Sequence, residues 1–204
     1  MNAGTRSGGR TLWVAVRTML MFTAVLGIGY TLLITGIGQL ALPVQANGSA
    51  LVSQDGDVVG SSLIGQSFTD DEGEPLPEYF QSRPSAAGDG YDGTASAGTN
   101  QGPENEDLIA AIAERKTQIA EFNGVSEDAV PADAVTASAS GLDPHISPAY
   151  ARIQIARVAD ARGMSEDEVA AAVEAATSDP DLGYLGERVV NVAELNLALD
   201  ERED

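Results

Sequence analysis

The chain has no cysteine, one histidine and only 11 basic residues among 204. Without cysteine there is no disulfide, no thiolate nucleophile and no cysteine-based zinc site. A lone histidine removes the remaining common zinc patterns. The shortage of lysine and arginine argues against nucleic acid as a partner, since neutralising phosphates needs a basic footprint. Arg6, Arg10 and Arg17 lie ahead of residue 18, leaving eight basic residues against all 31 acidic ones, a formal −23 for everything after Arg17. A surface of that sign concentrates cations or serves solubility and salt tolerance.

Charge of either sign is absent between Arg17 and Asp55. Within that gap Thr18 to Leu42 reads TMLMFTAVLGIGYTLLITGIGQLAL. A hydrocarbon core of about 30 Å takes about 20 apolar residues in a helix, and this stretch supplies them. Trp13 stands where an interfacial aromatic belongs. Arginines before the span and acids after it predict a cytoplasmic segment over 1–17, a transmembrane helix over 18–42 and an extracytoplasmic domain over 43–204. A cleavable signal peptide is the rival, because Val44-Gln45-Ala46 has the small-x-small pattern. Signal cores run about 7–15 residues, however, and this one is far longer, which favours an anchor. Ala24, Gly27, Thr31, Thr35 and Gly38 recur at spacings of three and four, a small-residue face for a partner helix whose threonine hydroxyls can bond across the contact. Gln39, near the outer end, belongs against protein or interface rather than lipid.

Beyond the span, Asp55-Gly56 between Leu51-Val52-Ser53 and Val58-Val59 signals a hairpin. Residues 66–105 are rich in Gly, Ser, Pro, Asn and Asp and predict an irregular surface segment. Its acidic part, Thr69–Glu78, has the composition of a disordered stretch, whereas Tyr79, Phe80 and Tyr91 predict that the rest is pinned. Leu108, Ile109, Ile112, Ile119 and Phe122 mark one stripe of a helix that Asn123-Gly124 ends. Ser147-Pro148 opens a second helix running to Gly163, Ser165 and Glu168 box a third, and Asn191 with Glu194 starts a last one. Val135–Ser138 and Arg188–Val190 are predicted strands. The fold class is α+β, helix-rich with a few short strands behind one transmembrane helix.

One cluster invites a chemical reading. Ser138, Ser140, Gly141, Asp143 and the only histidine, His145, fall within eight residues. A nucleophile–base–acid set is conceivable there, but triads are defined by geometry rather than proximity in sequence. The polar backbone of Ser138–Gly141 suits an anion, although no Walker-type phosphate loop exists anywhere. Asp55-Gly56-Asp57 and Asp89-Gly90-Tyr91-Asp92 do not match a calcium loop. Asn47-Gly48-Ser49 is a glycosylation sequon by pattern alone. From the residues, the expectation is a membrane-anchored, non-enzymatic accessory domain with no metal and no assigned cofactor.

A set of motifs spread along the chain is more specific. These are Thr35-Gly36 with Gln39, Pro43–Ser49, Gly60–Gln66, Tyr79-Phe80, Arg83–Ala86 and Asn100–Pro103. The strongest runs from Val130-Pro131 through Ala134–Ser138 to Gly141–Pro148. Gln154, Arg157–Ala159, Arg162-Gly163, Leu185–Glu187, Val190–Val192 and Leu195–Leu199 complete the series. In this order and over nearly everything after Leu33, the chain resembles the KdpC family, one of the components of the Kdp potassium-transporting ATPase of bacteria and archaea. It departs from that family at Ala139, where glycine is usual, and at Thr99, where serine is common.

The resemblance implies an accessory subunit of a high-affinity potassium uptake pump. Its partners would be a potassium-channel-like subunit, a P-type ATPase subunit and a small stabilising peptide. Potassium and ATP would be handled by the complex. The chain has neither an Asp-Lys-Thr-Gly phosphorylation motif nor a Thr-Val-Gly-Tyr-Gly-like filter, which agrees with an accessory role. The family role of catalytic chaperone, raising the ATPase subunit's affinity for ATP, is implied as well. A free exported hydrolase using His145, or a free binding domain, is the alternative from another class.

Overall fold

Residues 5–17 contain no proline to interrupt a helix that the apolar span has begun. The computed structural model describes residues 5–203, so residues 1–4 of the expected cytoplasmic segment lie outside it. The chain divides into two units between Ser49 and Ala50.

The first unit is dominated by one long helix, made of α1 (Thr5–Phe22), a π-helical stretch Thr23–Tyr30 and α2 (Thr31–Ala41). Helix therefore starts well before Thr18. The part from Gly8 to Ala41, 34 residues, is long and apolar enough to cross a membrane, and none of that apolar stretch is buried inside the chain. At 1.5 Å per residue it is about 51 Å long, more than a hydrocarbon core requires. The widened turns coincide with Gly27 and Gly29, whose missing side chains tolerate departures from regular helix. The helix ends at Leu42, whose φ of −137° and ψ of 56° are no longer helical, immediately before Pro43. Proline disfavours helical backbone in the residue before it, which accounts for the stop. A single turn, α3 (Pro43–Ala46), follows.

The second unit begins with the expected hairpin. Strands β1 (Ala50–Val52) and β2 (Val58–Ser61) pair antiparallel with a bulge between Leu51 and Val52, and Gly56 turns the loop at φ +90°. Residues 66–105 then form no regular helix or strand. The acidic stretch is nevertheless folded on itself. The Asp70 carboxylate accepts the backbone N–H groups of Glu72 and Glu74, and Thr69 bridges Pro75.

Helix α4 (Glu106–Asn123) is capped by the Asn105 side chain and closed by Gly124 in the left-handed region. Of its anticipated stripe, Ile112 and Ile119 pack on the core, whereas Ile109 is 53% exposed. Helices α6 (Pro148–Arg162), α7 (Glu166–Ala175) and α8 (Val192–Glu203) supply most of the core, with Phe80, Ile146 and Val190 among the residues that complete it. Their ends carry the predicted signals: Ser147 caps α6 at Tyr150 N, and the Ser165–Glu168 box is complete. Asn191 Oδ1 likewise accepts from Glu194 N. A three-stranded antiparallel sheet, ordered β3 (His145–Ile146), β5 (Val189–Asn191), β4 (Thr177–Ser178), packs with these helices.

One strand prediction is overturned. Val135–Ser138 forms no strand; α5 (Ala132–Val135) takes its first residue into a helical turn, and Thr136, although extended, pairs with no neighbouring strand. Pro131 fixes the entrance, and the turn buries Ala134 and Val135 together. The Thr136 hydroxyl bonds back to Ala132 O at 2.8 Å. Burial of Val135 in the turn outweighs its β preference. The Arg188–Val190 prediction holds as β5, shifted by one residue.

Candidate functional site

On the membrane-type helix, Ala24 and Gly27 fall in the π-helical stretch, Thr31 follows it directly, and Thr35 and Gly38 lie in α2. The first four are exposed and Gly38 is half-buried. Thr31 Oγ1 donates to Gly27 O at 2.9 Å, so its proton is spent inside the helix rather than kept for a neighbour. Gln39 is also satisfied within its own unit. Its amide and that of Asn47 exchange two hydrogen bonds of 3.4 and 3.3 Å, and Asn47 Nδ2 reaches Pro43 O at 2.7 Å. The sequon asparagine therefore closes off the end of the helix.

In the second unit the Ser138–His145 loop is drawn together by its own hydroxyls. Ser138 is buried, and its Oγ accepts from Gly141 N at 3.0 Å and Asp143 N at 3.3 Å. Ser140 Oγ lies 3.3 Å from Ser138 Oγ and accepts from Leu142 N at 3.1 Å. Gly141 has φ +72°, and a Cβ there would meet Ala87 Cβ at 2.7 Å and Ala97 O at 2.8 Å. Glycine is thus required at 141. At 139 the backbone is not left-handed, so alanine is accommodated there without strain.

The loop's acid and base contact each other directly, and the acid also takes a partner, Arg83, that sequence reading missed. Arg83 Nη1 pairs with Asp143 Oδ2 at 3.0 Å, and its other terminal nitrogen donates to Thr136 O and Oγ1. His145 Nδ1 is 3.4 Å from Asp143 Oδ1, which also accepts His145 N–H at 3.0 Å. The His145 side chain, its backbone N–H and Arg83 hold the Asp143 carboxyl below its ordinary range against the opposing effect of burial. Both catalytic-looking groups are therefore engaged. The serine hydroxyls face loop amides, and Asp143 is shared between an arginine and a histidine.

The segment 66–105 clasps this loop from the far side. Ser85 Oγ donates to Gly141 O at 2.7 Å and accepts from Ala87 and Tyr91 N–H groups. Ala97 N and Ser96 Oγ both reach Ser140 O. Tyr91 OH donates to Arg83 O at 2.7 Å, and burial pushes its phenol up to about 12.

Two buried side-chain amides tie the same segment to the helices. Asn196 Oδ1 accepts Phe80 N at 2.9 Å while its Nδ2 donates to Phe80 O at 3.0 Å. Gln154 does the same for Gln81, at 2.7 and 3.2 Å. Each amide completes the backbone of one residue as a neighbouring strand would. Arg157 lies over the Phe122 ring and Arg162 over Tyr79, each also bonding backbone carbonyls of Pro77–Tyr79. Burial pulls the Arg157 guanidinium down to about 10. The signal for this network was present in Gln154, Arg157 and Asn196, polar residues set on core-facing helices.

Likeness to known proteins runs along almost the whole chain. The family model described as K+-transporting ATPase, c chain (KdpC) matches residues 12–201. The potassium-transporting ATPase KdpC subunit of Caulobacter vibrioides NA1000 is 53% identical over 189 residues, 92% of this chain and 91% of that one. Its counterpart in Mycobacterium tuberculosis H37Rv is 52% identical over 192 residues, 94% of this chain and 98% of the other. That of Kineococcus radiotolerans is 52% identical over 181 residues, 89% and 88%.

Proposed function

Because the chain belongs to the KdpC family of the K+-transporting ATPase, we propose that it is a non-catalytic, single-pass accessory subunit of a potassium-transporting ATPase complex. The observation that carries this reading is the 34-residue helix Gly8–Ala41, uncharged after Arg17 and with none of its apolar part buried within the chain. Such a surface needs lipid and a neighbouring helix. Gly27, Thr35 and Gly38 let the helix of a channel-like subunit approach closely. Arg10 and Arg17 on one side and the acidic domain on the other set the N-terminus in the cytoplasm and the domain outside. The partners are the channel-like subunit, the P-type ATPase subunit and a small stabilising peptide.

The engagement of Ser138 and Ser140 within their own loop, and of Asp143 by both His145 and Arg83, supports a structural role for that loop, against a hydrolase built on His145. A chaperone-like effect on ATP affinity then acts at a distance. ATP is cytoplasmic and the domain is not, so the effect passes through the membrane helix rather than through direct contact.

The absence of cysteine makes sidedness directly measurable. An impermeant thiol reagent on intact cells should label Asp167→Cys, and should label Gly8→Cys only after lysis. The reverse pattern overturns the topology and with it the indirect model for ATP. Gly27→Leu with Thr31→Leu should release the subunit from the complex in mild detergent; unchanged co-purification removes the helix-face assignment.

A further inference from the structure

The connection between β4 and β5 is built unlike the other loops. Residues 181–188 are exposed without interruption, yet the tip is apolar: Leu182 is 82% exposed, Tyr184 73% and Leu185 50%. It is also fixed in shape. Asp181 and Leu185 exchange two backbone hydrogen bonds of 2.9 Å, and Gly183 N reaches Pro180 O at 2.9 Å. At the base Arg188 bonds Asp179 at 2.8 Å and Glu174 at 2.9 Å. Inside this closed turn Leu182 has φ +54°, a conformation that a branched apolar residue adopts at a cost. A polar or glycine residue would serve the turn better, and a solvated loop gains nothing from three apolar side chains held in water.

We infer that the Leu182–Leu185 tip is a pre-organised anchor that inserts into an apolar pocket, rimmed by basic side chains, on another subunit of the transport complex. The inference rests on the accessory-subunit reading proposed for the chain. The rim is specified by charge. Asp181 and Glu187 are exposed in the loop itself, Glu174 and Asp179 lie at its base, and the cation there, Arg188, is already paired with the latter two. That field repels anionic lipid headgroups. It equally repels a second copy of a chain whose formal charge is −20. A protein pocket with compensating basic groups is the complement that remains. Tyrosine with flanking leucines, already ordered before contact, has the make-up of an interface centre and loses little freedom on docking.

The test uses the assembled complex. The triple variant Leu182→Asn, Tyr184→Ser, Leu185→Ser keeps the turn, because asparagine accepts left-handed backbone. Its melting temperature should match that of the unaltered chain, while its half-life in the diluted complex falls about tenfold or more. Leu182→Gly alone should raise the melting temperature and shorten the half-life, which keeps the idea testable should the triple variant misfold. Benzoylphenylalanine at position 184 should crosslink to another subunit. Half-lives within about twofold of the unaltered complex, or adducts only with lipid or a second copy, overturn the anchor. If the unaltered chain does not co-purify with transport subunits at all, the accessory-subunit reading itself fails, a result distinguishable from a silent tip.

Discussion

Gly141 holds a backbone φ of +72° against Ala87 and Ala97, so any side chain is excluded by conformation and by space at once. Gly141→Ala should cost roughly 2–4 kcal/mol, the sum of a left-handed penalty and local overpacking, read as a fall in melting temperature. Nearby, Asp143 is held low by His145 and Arg83. A depressed carboxyl stabilises the fold fully above its unfolded value of about 3.9, and that stabilisation fades as pH falls through the folded value. The unaltered chain should therefore lose melting temperature below about pH 4 more steeply than Asp143→Asn does. Equal slopes would show that the Asp143 pairs contribute nothing to the fold.

At the scale of elements, the irregular segment 66–105 behaves as a structural element because two helices complete its backbone. Asn196 is 1% exposed and satisfies both polar groups of Phe80, itself fully buried. Asn196→Leu leaves that N–H and C=O buried without partners, at a cost of about 3 kcal/mol. The loss should be local as well as global, with limited proteolysis opening the Thr69–Glu78 turn sooner than in the unaltered chain. If cleavage there is no faster, the amide is not what holds the segment.

For the whole molecule the governing quantity is charge. After Arg17 the chain carries a formal −23, and ion pairs such as Arg162–Asp200 at 2.8 Å use only a fraction of the acids. Self-repulsion of that size is screened over about 8–10 Å at moderate ionic strength. The melting temperature should rise between about 50 mM and 500 mM salt. A flat or falling response would mean that local pairs outweigh the net field.

Periodicity, capping residues and charge made much of this protein legible in one dimension. The apolar helix, the hairpin at Asp55-Gly56, the Ser147 and Ser165 caps and the membership of the KdpC family all depend on residues close together in the chain or on an ordered series of motifs. Tertiary structure decided what those residues touch. Helix reaches back to Thr5 because nothing stops it, and Val135 enters a helical turn because burial favours it over its own β preference. Arg83, 60 positions from Asp143, converts a catalytic-looking cluster into an ion-paired loop. The exposed, strained Leu182 emerges only once the turn around it closes. Contacts between distant residues arise from packing and from the pairing of buried polar groups, and neither leaves a period in the sequence.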